Sequence, residues 1–359
     1  MGLSLDRSDM SHSARLAGYG AASTALALLS DRRLGNLVDE APLISSGVGG
    51  TAVLLEIEGT PVFAKQVPLT DLERRPENVM STANVFRLPT FCQYGLGSGS
   101  GFGVWRELAV HAMTTNWVLG RQCESFPLMY HWRVLAGPPP RTPTSEERAD
   151  LARTVAYWDG SPAVRERLEA VTRSSASVVL FLEYIPQNLH EWLTAQVALG
   201  DDAVESACAM VERSLRTGVS FMNSNGLLHF DAHFENILTD GRHLYFADFG
   251  LAKSSRFDFE ESESGFFAEH LSYDRDYTTA HLVNWLATAL CSQMDRKALL
   301  REYAEGGNPG NLPKSVTAII KRYAPIVAVM NKFYRELQTE SRTTPYPVDE
   351  VNRAWCDVP

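Results

Sequence analysis

The chain has 359 residues, 45% of them apolar and 21% charged, which is ordinary globular usage with material for one large domain or two lobes. Its 33 Lys and Arg against 43 Asp and Glu leave a formal net charge of -10, which argues against nucleic acid as the main partner, because phosphate backbones call for clustered positive charge. The five scattered cysteines form no close redox or metal-ligand pair, and the most apolar early stretch, Ala21 to Leu29, is too short for a membrane span, so a cytoplasmic protein with reduced thiols and no membrane contact is expected.

Residues 1–40 read as an N-terminal extension, polar at first and then helical around Ala14–Leu29. Leu43-Ile44 leads into a Gly-rich turn at Gly47, Gly49 and Gly50, followed by the apolar run Ala52 to Ile57 and, after Glu58-Gly59-Thr60, by Pro61 to Lys65. This pattern predicts an antiparallel meander. Residues 66–103 carry Pro68, Pro76 and Pro89 and end with five glycines in nine positions, Gly95 to Gly103, which reads as an insertion with a flexible end. Trp105, Leu108, Ala109, Ala112, Met113 and Trp117 recur at helical spacing.

Phe126 to Leu135 reads as a strand, and residues 137–174, opening with Gly-Pro-Pro-Pro, as a second, charged and helical insertion. Ser177 to Tyr184 is a buried strand by its β-branched and aromatic run. Helices are predicted from Leu189, over Ala203 to Asn223, and through most of the chain beyond residue 270. Strands dominate the first half and helices the second, so the chain is expected to be α+β and bilobal, with residues 41–185 in one lobe and 186–359 in the other.

The chemistry concentrates at His229-Phe230-Asp231-Ala232-His233-Phe234-Glu235-Asn236, with Asp248-Phe249-Gly250 beyond it, after the strand-like Leu244 to Ala247. Phosphoryl transfer needs metal ions that bridge phosphate oxygens and a carboxylate near the attacking hydroxyl. Asp231 and Asn236, five apart on a loop, can aim one oxygen at an acceptor and one at a metal, and Asp248 supplies a second hard oxygen ligand. Any one of these residues is also an ordinary turn former; the two motifs in order between strand-like flanks are much less easily explained that way.

H-x-D-x-x-x-x-N followed by D-F-G resembles the catalytic and metal-binding loops of the protein kinase superfamily, including its small-molecule phosphotransferase relatives. That resemblance implies a small antiparallel-sheet lobe, a larger helical lobe, and ATP and magnesium at the site. It implies a phosphate-covering loop at Gly47, Gly49 and Gly50, although Ala52 stands where a third glycine usually is. Lys65, eighteen positions after Gly47, would hold the α- and β-phosphates. Glu107 is the chosen partner of Lys65, with Glu73 and Glu77 as alternatives near the helix-breaking Pro76. Leu182 to Ile185 resembles the hinge, the Glu183 carbonyl and the Ile185 N–H meeting the adenine edge.

The sequence also departs from the pattern. Phe230 replaces the Arg that reads a phosphorylated loop, which argues against such regulation, and no A-P-E triplet follows Asp248, which argues against a general kinase of folded proteins. His233 is expected near the γ-phosphate or as a cap of the loop. The acidic stretch Phe257 to Ser264 is a candidate dock for a cationic substrate, and Asp276 a candidate brace beneath the catalytic loop.

At closer range, Gln66 to Thr70, Trp105 to Leu108, Phe126 to Trp132 and His229 to Leu238 resemble stand-alone actinobacterial kinase-like proteins, some tied to class V lanthipeptides and thioamitides. That resemblance implies a kinase for Ser or Thr of a ribosomal precursor peptide, with a separate lyase as partner. A small-molecule phosphotransferase of the aminoglycoside type and a non-catalytic peptide-binding module are the alternatives.

Overall fold

The computed structural model describes residues 10–47, 50–96, 101–137, 142–290, 302–303, 307, 312–356 and 358. Three strands open the sheet: β1 (Leu43–Gly47), β2 (Gly50–Ile57) and β3 (Thr60–Leu69). With β4 (Met129–Ala136) and β5 (Ala176–Glu183) they form a five-stranded antiparallel sheet in the order β1-β2-β3-β5-β4. The apolar run of β5 is buried along its whole length, as a central strand covered on both faces must be.

The N-terminal extension is part of this lobe. Helices α1 (His12–Ala27) and α2 (Asp31–Glu40), each capped by a serine side chain, pack against β4 and β2. Arg15 of α1 is buried and gives Nε and Nη2 to the two carboxylate oxygens of Glu183 at 2.8 and 2.7 Å. Glu183 also accepts the Leu128 N–H at 3.0 Å, so the end of β5 is fixed from two sides.

Helix α3 (Val104–Leu119) lies behind the sheet and is buried on nearly every side. The first insertion contributes to this: the Glu73 carbonyl accepts from Trp105 Nε1 and the Thr82 carbonyl from Arg106 Nε. Gly103 provides no side-chain cap, and the Glu73 carboxylate accepts the Val104 N–H at 3.0 Å instead. The second insertion folds as α4 (Ser145–Tyr157) and α5 (Pro162–Thr172). It docks on the first through the buried pair Arg167–Glu73, at 2.8 Å, and an apolar cluster of Phe86, Leu88, Phe102, Trp158 and Val164. The insertions, apart in sequence, are one structural unit.

The second lobe runs from β6 (Gln187–Asn188) and α6 (Leu189–Leu199) through α7 (Asp201–Ser224), β7 (Leu227–Leu228), β8 (Ile237–Thr239), β9 (Leu244–Phe246) and β10 (Lys253–Ser254). It continues with α8 (Glu261–Glu269), α9 (Tyr273–Leu290), α10 (Lys314–Thr339) and α11 (Val348–Cys356). The chain thus has the bilobal α+β, protein-kinase-like fold. Among the described residues, no helix is long and apolar enough to cross a membrane.

The first insertion also joins the lobes. Its short 3-10 helix, Thr90–Tyr94, places Tyr94 in the core of the second lobe against Phe266, Tyr273 and Phe333. There the Tyr94 hydroxyl lies 2.6 Å from His270 Nε2.

Candidate active site

The edge between the lobes gathers the charged groups. Lys65 projects from β3 and donates to Glu107 Oε1 at 2.7 Å and to Asp248 Oδ1 at 3.0 Å. Burial alone would lower the lysine, but the two carboxylates outweigh it and hold Lys65 above its ordinary range. The Lys65 charge in turn holds Asp248 well below the usual carboxylate range. Glu107 sits in the first turn of α3, the end whose dipole favours a carboxylate. The competing candidate Glu73 is occupied elsewhere, by Thr70, Val104 and Arg167.

The loop His229–Asn236 is held rigidly. Both Asp274 oxygens accept backbone N–H groups, from His229 at 2.6 Å and Phe230 at 2.9 Å. Phe230 adopts φ 64, a conformation that is costly for a bulky residue, and its ring stacks on Phe266 and Tyr273. The expected brace Asp276 does not reach this loop. It accepts from Tyr346 and Trp355 instead, both at 2.6 Å, because two residues along α9 turn a side chain through about 200°.

Within the loop, Asn236 donates Nδ2 to the Asp231 carbonyl at 3.0 Å and to Asp231 Oδ2 at 3.1 Å. This occupies the amide nitrogen and leaves the amide oxygen as its available end. Burial, with the nearby Asp248 charge, pushes Asp231 up to about 8. His233 Nε2 lies 3.8 Å from Asp231 Oδ1, and burial lowers this imidazole.

Behind the site, Phe249 packs between His229, at 5.2 Å, and His111 of α3, at 5.0 Å between ring centroids. This ring column ties α3 to the second lobe beside Asp248. Asp248 itself has φ 60, which turns its carboxylate out of the strand direction toward Lys65.

Lys65, Glu107, Asp231 and Asp248 line one cavity of about 170 Å³, to which the insertions also contribute, through Gly95, Leu96 and Trp158 among others. Gly95 stands so close to Asp231 that a Cβ there would lie 2.8 Å from Oδ1. Sequence reasoning gave the insertions no place in the site.

The nucleotide-side expectations resolve unevenly. Gly47 ends β1 opposite Gly50, and Gly49 lies outside the described residues. Gly50 has φ 115, and a Cβ there would fall 2.0 Å from the Gln66 carbonyl oxygen. Close strand packing therefore requires that glycine whatever the ligand. Glu183 is the last residue of β5 and Ile185 is buried in the connector beyond it.

Of the acidic stretch, Asp258, Glu260 and Glu261 are exposed, and Glu263 alone among its carboxylates turns inward. Glu263 is 1% exposed and points inward, where it pairs with Arg106 and Lys253. The reason is helical: Glu263 and Phe267, four apart on α8, share its buried face.

The donor set fits a hard cation held with phosphate oxygens. Asp248 and the Asn236 amide oxygen are two oxygen ligands beside one lysine, and magnesium commonly takes only one or two protein ligands. Among the described residues no three His, Cys, Asp or Glu side chains form a metal site of their own.

A family model described as protein kinase domain matches residues 162–284, from α5 through the Asp231 and Asp248 loops into α9. Over that third of its length the chain is similar to protein kinases. No curated protein matches it.

Proposed function

We propose that the protein is an ATP- and magnesium-dependent kinase that transfers the γ-phosphoryl group to a Ser or Thr hydroxyl of a peptide. The observation that carries this reading is the convergence of the Lys65–Glu107 pair, Asp248 and the Asn236-bound Asp231 on one cavity. The protein kinase domain match across both loops supports the phosphotransferase class.

In this reading Lys65, fixed by Glu107, grips the α- and β-phosphates. The backbone at Gly47, Gly49 and Gly50 covers the phosphates, while the Glu183 carbonyl and Ile185 N–H meet the adenine edge. Asp248 and Asn236 hold magnesium, which when bound neutralises charge on the phosphate oxygens. Asp231 orients the acceptor hydroxyl and receives its proton. The hydroxyl oxygen bonds to the γ-phosphorus, the bond from phosphorus to the β,γ-bridging oxygen breaks, and ADP departs with that electron pair. A neutral His233 beside Asp231 adds a hydrogen-bonding group at the acceptor side.

A peptide acceptor is favoured over an aminoglycoside because both insertions add surface to the cavity, which suits an extended partner. The cavity lining is partly apolar, with Leu96 and Trp158. The resemblance to kinase-like proteins of modified-peptide biosynthesis supports a ribosomal precursor peptide as acceptor and a separate lyase as partner.

ADP release with Mg-ATP, measured against Ser/Thr-rich peptides and separately against aminoglycosides, tests this. The expected result is release with the peptide pool that is abolished in Asp231→Asn while nucleotide binding persists. Release only with aminoglycosides would replace the acceptor class. Undiminished release in Asp231→Asn would remove the assigned role of that residue. Binding of peptide with no release from either pool would favour a non-catalytic module.

A further inference from the structure

Three charged side chains outside the cavity form a buried cluster with a definite place in the fold. Arg106 gives Nη1 and Nη2 to the two oxygens of Glu263 at 2.8 and 3.1 Å, and Lys253 gives Nζ to the same carboxylate at 2.6 Å. All three are at most 2% exposed. Two cations on one carboxylate leave a surplus positive charge. Phe102, Phe257, Phe259 and Phe266 enclose it, with Lys253 Nζ 4.7 Å from the Phe259 centroid and the Arg106 guanidinium 5.5 Å from that of Phe257.

The cluster joins the elements that carry the phosphate-gripping groups. Arg106 immediately precedes Glu107 on α3, so the two side chains leave the helix about 100° apart, one toward Glu263 and the other toward Lys65. Lys253 lies five residues beyond Asp248 on β10, which pairs with β7 at the entry to the His229 loop. Arg106 Nε also donates to the Thr82 carbonyl at 2.7 Å, and Thr82 Oγ1 accepts the Asp258 N–H at 2.9 Å. The first insertion is thereby stitched to the same point.

We propose that Glu263 is a positioning residue for the phosphate-gripping site: clamped between Arg106 and Lys253, it sets the rotation of α3, and so the aim of Glu107, and fixes the segment after Asp248 without covalent modification. This rests on the phosphotransferase reading above.

The test compares the full-length protein with Glu263→Gln and with the uncharged triple variant Arg106→Met/Lys253→Met/Glu263→Leu, which removes the buried charges together and so avoids stranding any of them. Three quantities are measured: melting temperature, turnover at saturating Mg-ATP, and hydrogen exchange of the α3 amides around Glu107 against those of α9. The expected result is that the triple variant melts near wild type, yet loses roughly 10²-fold in kcat and exchanges its α3 amides about 10-fold faster, with α9 unchanged. Glu263→Gln should show the same α3 loss if it folds.

Recovery of both kcat and α3 protection in the triple variant would overturn the proposal and leave the cluster a packing element. Unchanged α3 exchange in a folded Glu263→Gln would overturn it as well. If the wild-type protein transfers no phosphate to any acceptor, the phosphotransferase reading fails, while the exchange comparison still decides whether Glu263 positions α3.

Discussion

The carboxylate of Asp274 accepts the backbone N–H of Phe230 at 2.9 Å, and that residue is held at φ 64. The second oxygen takes the N–H of His229, so one buried side chain supports the two residues that precede Asp231. Asp274→Ala would strand two buried donors, at about 1–3 kcal/mol each, and release the strained Phe230 backbone. We expect a loss of about 2–5 kcal/mol in urea unfolding, with a fall in phosphoryl transfer larger than the fall in nucleotide affinity.

Arg15 and Glu183 present a separable case. Arg15→Met leaves Glu183 buried without its cation, which costs about 3–5 kcal/mol. Adding Glu183→Gln should recover much of this, since the amide oxygen can still accept the Leu128 N–H. Denaturant midpoints of the two single variants and the double variant measure the coupling. Additive losses would show that the pair does not act as a unit.

Gly95→Ala would place a methyl 2.8 Å from Asp231 Oδ1, at a backbone φ of 63. The expected outcome is at least a roughly tenfold drop in kcat with a nearly unchanged ATP dissociation constant, because the displaced group is the carboxylate proposed to orient the acceptor. Parallel nucleotide titration and turnover assays check it. Equal losses in both would mean that the insertion supports the nucleotide side too.

Burial holds four imidazoles neutral: His111 is brought down to about 3, and His229, His270 and His281 to about 4. As pH falls below about 6.5, the unfolded chain takes up protons at these positions while the folded chain does not, so folding stability declines with acidity. Each histidine contributes about 1.4 kcal/mol per pH unit between its unfolded and folded values. His111 makes no hydrogen bond through either ring nitrogen. His111→Leu should therefore hold or raise stability at neutral pH and reduce the proton uptake on acid unfolding by about one. Urea midpoints from pH 7 to 4.5 provide the slope.

What the sequence carries most plainly is local arrangement. Asp231, Asn236 and Asp248 are legible because the loop motif fixes their spacing, and Glu107 because the helical apolar pattern from Trp105 locates α3 across a gap of 42 residues from Lys65. The Asp274 brace was missed by two residues, since a helix start shows which residues lie on it but not which face meets the catalytic loop. Arg15 and Glu183 are 168 residues apart, and no local pattern couples them. Within the acidic residues 257–264 nothing local distinguishes the buried Glu263 from the exposed Asp258, Glu260 and Glu261. Arg106, the partner of Glu263, is 157 residues away.

Tyr94 leaves the chain between two elements of the small lobe and completes the core of the large one. The fold is thus a clasp rather than a pair of detachable domains. Divided at residue 185, neither part would hold a full set of its own core side chains, and the two fragments would be obligate complements. The region similar to protein kinases, 162–284, contains neither Tyr94 nor Phe333, so it is a stretch of likeness and not an autonomous folding unit.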